Sequence, residues 1–202
     1  MILGDGVSGS IQHREIFMHL ESKTFTCKNG KELLISSIGP AYAEEYLRYM
    51  KLVSDETSYM SRYGDEISLS QNDIAAEQKS QGVLADDEGQ GMISIFDKDR
   101  IIGNIAIRRT GKGRKTAHRC SVGLAVVKEF QGCGLGTVLM EAAINFAKDA
   151  GYEYMELGVV SGNAPARGLY KKMGFVESGC LPDAFRLDDG ESFDEITMYK
   201  KL

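Results

Sequence analysis

The run Gln131-Gly132-Cys133-Gly134-Leu135-Gly136 lies between a strand-like apolar segment ending at Val127 and the start of a helical pattern. Such a junction leaves several backbone N–H groups without partners and aims them at one spot, where an anion binds. Glycines at 132, 134 and 136 let the main chain come close to a diphosphate that side chains would hold away. The chemistry this predicts is capture of a pyrophosphate-bearing ligand. Other glycine loops fit less well. A dinucleotide loop needs GxGxxG, whereas here the spacing is Gly132-x-Gly134-x-Gly136-Thr137, with no acidic residue closing a second strand at the usual distance. A nucleoside-triphosphate loop needs GxxxxGK[ST], and Gly111-Lys112-Gly113-Arg114-Lys115-Thr116 lacks the glycine before its lysine.

Cys27, Cys120, Cys133 and Cys180 are scattered and form no CxxC pair, and His13, His19 and His118 have no metal-ligand spacing, so no metal site is expected. Cys133 sits where a helix N-terminus lowers a thiol pKa, but no histidine close in sequence serves as its base, and it reads as a filler. Cysteine usage without staples points to a reducing, cytoplasmic setting. The formal net charge of -5 argues against a nucleic-acid backbone as partner and favours cationic or neutral substrates. With 43% hydrophobic and 26% charged residues the chain reads as globular and not membrane-embedded, and 202 residues fit one domain.

The elements that must position the loop follow from periodicity. Asn29-Gly30 marks a tight turn before a strand over 32–38. After Pro40, Ala43, Tyr46, Leu47 and Met50 recur at helical spacing, and Ser70 with Asp73 opens a second helix running towards Leu84. Strand-like runs at 92–96 and 101–107 flank Asp97-Lys98-Asp99-Arg100 as a hairpin, and another strand covers 118–127. Leu135, Val138, Leu139, Ala142, Ala143, Phe146 and Ala147 form the clearest helical stripe, stopped by Gly151. A strand over 154–160, a short helix carrying Ala166, Leu169, Tyr170 and Met173, and a hairpin of 184–187 with 193–199 complete the chain. Strand, helix, strand order around the loop implies a parallel pair. The expectation is an α/β (α+β) fold: a flexible leader over 1–24, then one domain over 25–202 with a mixed central sheet.

These residues resemble the GNAT N-acetyltransferase superfamily. Gln131 to Gly136 matches its [RQ]xxGx[GA] loop, and Leu124-Ala125-Val126 stands where the preceding strand reads apolar-x-Val. Downstream, Asn163-x-x-Ala166-x-x-Leu169-Tyr170-x-x-x-Gly174-Phe175 matches NxxAxxLYxxxGF. The likeness runs from about Met92 to Tyr199 and is nearest to the bacterial ribosomal-protein N-terminal acetyltransferase branch. It implies antiparallel N-terminal strands, flanking helices, and acetyl-CoA in a splay between the parallel strands 121–127 and 154–160.

The resemblance also implies roles. Leu124, Ala125 and Val126 would pair with pantetheine and offer an N–H to the thioester oxygen. Gln131, Gly132, Cys133, Gly134, Leu135, Gly136 and Thr137 would hold the pyrophosphate, and Asn163 either bonds the pantetheine or caps its helix. Tyr170 would protonate the departing thiolate as an amine attacks directly through a tetrahedral intermediate, with no acyl-enzyme. Neutralising an alkylammonium at pH 7 costs roughly 4.6 kcal/mol, so a base is needed. Relatives often carry a glutamate on the strand that here reads His118-Arg119-Cys120-Ser121-Val122-Gly123, and none is present. Glu156 is the first candidate, ahead of His118 or a carboxylate acting through water. The basic turn from Arg108 to Arg119 reads as solvated or as a site for an anion such as the 3′-phosphate of CoA. The acceptor class is a small amine or a protein N-terminal amine, and a homodimer is compatible with the scaffold. The missing strand carboxylate motivates an alternative, a non-catalytic acyl-CoA-binding module or partner subunit.

Overall fold

A computed structural model describes residues 20–111 and 113–202. Most of the expected leader, with His13 and His19, lies outside the described residues. Lys23 and Thr24, read as part of that leader, belong to the first strand, β1 (Lys23–Thr26), which turns through Gly30 at φ +85° into β2 (Glu32–Ser37).

Pro40 starts a single tight turn that runs into α1 (Ala43–Asp55). Ser70 caps α2 (Gln71–Ala85) by accepting the Asp73 N–H at 3.2 Å. β3 (Gly91–Asp97) and β4 (Arg100–Arg109) form the expected hairpin, with Lys98 at φ +57° in its turn. Then come β5 (Arg119–Val126), α3 (Leu135–Asp149), β6 (Tyr154–Val160), α4 (Ala164–Lys172), β7 (Val176–Arg186) and β8 (Ser192–Lys201).

Among the described residues, eight strands make one sheet in the order β1-β2-β3-β4-β5-β6-β8-β7, in which only β5 and β6 are parallel neighbours. β8 inserts between β6 and β7, antiparallel to both. The final hairpin is longer than its periodicity predicts, starting at Val176 instead of 184. Two register shifts, between Glu177 and Gly179 and between Leu181 and Phe185, break the alternation that would have marked the strand.

The core includes the space between the sheet and α3, with Ile95, Ile105, Ile107, Leu139, Met140 and Met155 fully buried, and Tyr49 and Val53 of α1 are buried in the same cluster. The buried stripe of α3 includes Met140 and Ile144 and leaves Val138 and Ala142 half-buried, a rotation from the expected face. Among the described residues, no helix is long and apolar enough to cross a membrane.

Candidate active site

β5 and β6 pair only through Arg119 with Tyr154, Cys120 with Met155, and Ser121 with Glu156. Beyond that point β5 stays in register with β4 as far as Val126, and β6 with β8 as far as Val160, so each strand keeps its outer partner and loses the inner one. The sheet therefore opens between Val122–Val126 and Leu157–Val160, and alternate backbone groups along this gap have no strand partner. The splay implied by the motif resemblance is present.

Two cavities meet at the gap. One, of about 460 Å³, is lined by Leu124, Ala125 and Val126, by the glycine run, and by Asn163, Pro165 and Leu169. The other, of about 470 Å³, is lined by Tyr46, Tyr49, Asn104, Gly123, Gly158, Tyr170 and Glu195 among others. Tyr59, Met60, Leu124, Ala125, Asn163 and Ala166 line both, so a molecule lying in the first reaches the second through the opening in the sheet.

The local sequence builds the first cavity. Gly132 and Gly134 adopt φ +75° and +89°, a region that side chains rarely tolerate, and Gly134 is the residue from which α3 departs. Among the described residues the N–H groups of Gly134, Leu135 and Gly136 find no backbone acceptor, while that of Thr137 turns back to the Gly134 carbonyl at 3.1 Å. Three donors at the positive end of a helix dipole thus face the cleft. Gly136 serves a different purpose: a Cβ there would lie 2.9 Å from Leu169, so its absence lets α4 pack on α3.

Of the eleven residues expected to bind cofactor, all but Cys133 line this cleft. Cys133 instead anchors the first hairpin, its carbonyl accepting the Lys28 N–H at 3.3 Å and its sulfur accepting from Asn29. That contact places Lys28 beside the loop, its Cε 3.4 Å from where a Cβ on Gly134 would sit, and Lys28 and Lys128 both line the cleft. Lys28 does not stand out in the sequence, because it lies more than a hundred residues before the loop and only the β1–β2 turn brings it there. Among the described residues the basic turn does not line this cleft: Arg108 lines the other cavity, Arg109 pairs with Asp87, and Arg119 pairs with Glu156.

Asn163 caps α4, its Oδ1 accepting the Ala166 N–H at 3.2 Å, and it also lines both cavities. Capping engages the oxygen and leaves the amide hydrogens for another acceptor. Tyr170, on the face of α4 turned to the sheet, is 6% exposed and packs against Phe175 with ring centroids 5.9 Å apart. Burial alone pushes its phenol up to about 12, so it is protonated throughout the neutral range. The same residue is thus a core tyrosine and a protonated phenol on the cavity wall.

Glu156 sits at the paired end of β5 and β6. The Arg119 guanidinium donates to both of its oxygens, the bond to Oε2 being 2.8 Å long, and Glu156 lines a neighbouring cleft that shares Glu195 and Gly158 with the Tyr170 cavity but lacks Tyr170. Another carboxylate lies at the gap. Glu195 is opposite Val160 in the β6–β8 register, and its side chain occupies the space that a Cβ on Gly158 would fill. It lines the cavity with Tyr170 and is half-buried. Sequence reasoning missed it because β8 was not expected beside β6. Among the described residues no group of three or more His, Cys, Asp or Glu is arranged to hold a metal ion.

A family model described as Acetyltransferase (GNAT) family matches residues 47–175. The chain is 34% identical over 68 residues to a putative [ribosomal protein bS18]-alanine N-acetyltransferase of Bacillus subtilis, covering 34% of this chain and 44% of that protein. It spans between a quarter and about half of the length of the curated relatives it matches. Among solved structures, an acetyltransferase of the GNAT family from Streptococcus pneumoniae superimposes with a TM-score of 0.76 at 27% identity, covering 84% of this chain and 99% of that one. The yncA protein of Salmonella typhimurium, a putative acetyltransferase solved with its cofactor acetyl-CoA, has the same fold, with a TM-score of 0.69 at 19% identity over 84% of this chain and 94% of that one. The matched family span takes in the splayed strand, the glycine loop and Tyr170, and the chain belongs to the GNAT acetyltransferase family.

Proposed function

We propose that the protein transfers the acetyl group of acetyl-CoA to a primary amine by direct attack. The observation that carries this reading is the meeting of two cavities at the sheet opening, one floored by unpaired helix N-terminal donors and the other walled by a buried, protonated tyrosine. In this reading the pyrophosphate lies on the N–H groups of Gly134, Leu135 and Gly136 with Lys28 and Lys128 alongside, and the pantetheine follows β5 past Leu124, Ala125 and Val126. The amine enters from the Tyr170 side. Its nitrogen forms a bond to the thioester carbon, the carbon–sulfur bond breaks, and Tyr170 gives its proton to the thiolate.

The proton leaving the acceptor ammonium is assigned to Glu195, which lines the cavity, in place of Glu156, whose oxygens are engaged by Arg119. Glu195→Gln is expected to slow an alkylamine acceptor by roughly tenfold to a hundredfold at pH 7 and a weakly basic amine much less. Glu156→Gln should treat the two amines alike. Initial rates for both acceptors with both variants check this, and the reverse pattern returns the role to Glu156.

Calorimetric titration with acetyl-CoA and a thiol-release assay over a panel of amines and peptides test the reading as a whole. Binding with amine-dependent thiol release supports it. Binding without release from any acceptor leaves a non-catalytic acyl-CoA-binding module. Lys28→Ala is expected to weaken acetyl-CoA binding by about threefold to tenfold, an effect that shrinks as salt is raised, because its partner is a solvent-accessible anion. Titrations at two ionic strengths measure it.

A further inference from the structure

The Tyr170-side cavity holds charges that acetyl transfer alone does not call for. Arg62 and Arg108 both line it, and they come from different elements: Arg108 near the end of β4, in register with Ser121, and Arg62 on the connection between α1 and α2. Arg48, Arg100, Arg109, Arg119 and Arg167 each pair with a carboxylate. Among the described residues, Arg62, Arg108, Arg114 and Arg186 pair with none, and of these Arg62 and Arg108 line the cavity.

The backbone carrying Arg62 is tied on both sides. Tyr59 donates to the Gly162 carbonyl at 3.1 Å and meets Phe193 edge-on at 6.2 Å, and the Tyr63 hydroxyl accepts the Asp188 N–H at 2.8 Å. Burial and then Glu77 push the Tyr46 phenol up to about 12, while the Arg108 and Arg62 guanidiniums act in the opposite direction, as charges near one wall must. Glu77 itself is not part of the cavity lining and pairs with neither arginine among the described residues. On the far side of the opening stands Glu195 beside Gly158.

Two guanidiniums without protein partners in one concave site repel a polycation and offer forked donors to a carboxylate. We propose that the acceptor is a small amine carrying its own carboxylate, an amino acid, with the carboxylate on Arg62 and Arg108 and the amino group directed to Glu195 and the sheet opening. Tyr46, Tyr59, Met50, Met60 and Phe185 give the cavity room for an apolar side chain. This rests on the acetyl-transfer reading above and names its substrate class. A free amino acid is net neutral at pH 7, which agrees with the cationic or neutral substrates that the formal net charge of -5 favours.

The test compares L-methionine and L-phenylalanine with their carboxamides in the thiol-release assay, with rates corrected for the fraction of neutral amine. The expected kcat/KM ratio favours the acids by at least about tenfold, and Arg62→Gln and Arg108→Gln each bring it towards one, chiefly through KM, with acetyl-CoA affinity unchanged. Equal rates for acid and amide, a ratio unmoved in both variants, or a preference for spermidine or an alanine-starting peptide would overturn the assignment. Calorimetric titration of the CoA-loaded protein with methionine and methioninamide separates this failure from that of acetyl transfer. Tighter binding of the acid without turnover sustains the carboxylate site while the transfer reading fails, and equal or absent binding overturns the site itself.

Discussion

Tyr170→Phe is expected to lower kcat by roughly a hundredfold or more while leaving the acetyl-CoA dissociation constant within about twofold of wild type. The ring keeps its place against Phe175 and only the hydroxyl is lost, so the melting temperature should barely move. The buried phenol stays protonated below about pH 12, and the acid form is lost only as pH rises through that value. Across about pH 6 to 10 the wild-type rate should therefore rise with deprotonation of the acceptor or its base and show no alkaline limb from this group. Steady-state rates, a pH profile and a calorimetric titration check these outcomes. A variant that keeps about half the wild-type rate would leave Tyr170 as packing alone.

Gly134→Glu is expected to weaken acetyl-CoA binding on the order of a hundredfold, because it puts a negative charge among the three N–H donors that face the cleft. The substitution also forces a side chain onto φ +89°, a strain of about 1–2 kcal/mol that exists without any ligand. Gly190→Glu separates the two effects. Gly190 has φ +90°, nothing within 4 Å of an added Cβ, and a place in the β7–β8 turn that lines neither cavity. It should lose comparable stability and bind acetyl-CoA as wild type does. Titration of both variants, each with a thermal melt, measures the difference. Equal affinity in the two would remove the glycine loop from cofactor binding.

The net charge and the arginine cavity act on the acceptor at different ranges. A formal charge of -5 describes the far field of the chain, whereas an acceptor within the cavity feels the few groups that line it. Arg62 and Arg108 are 46 positions apart, and only the packing of the α1–α2 connection over β4 places both on one wall.

The sequence by itself determined the parts whose chemistry is local. The strand, glycine loop and helix from Arg119 to Asp149 are contiguous, and positive φ at Gly132 and Gly134 is a demand that residue type meets directly. Asn163 as a cap and Tyr170 on the inward stripe of α4 are likewise fixed within one turn or two of helix. Tertiary structure decided what depends on residues far apart in the chain. The insertion of β8 beside β6 placed Glu195 at the opening, while the short β5–β6 pairing left Glu156 in the grip of Arg119. The β1–β2 turn carried Lys28 to the loop, a contact no periodicity encodes. A strand's alternation specifies which face each residue takes, but not which strand will lie alongside, and the charges that meet across a gap follow from that neighbour.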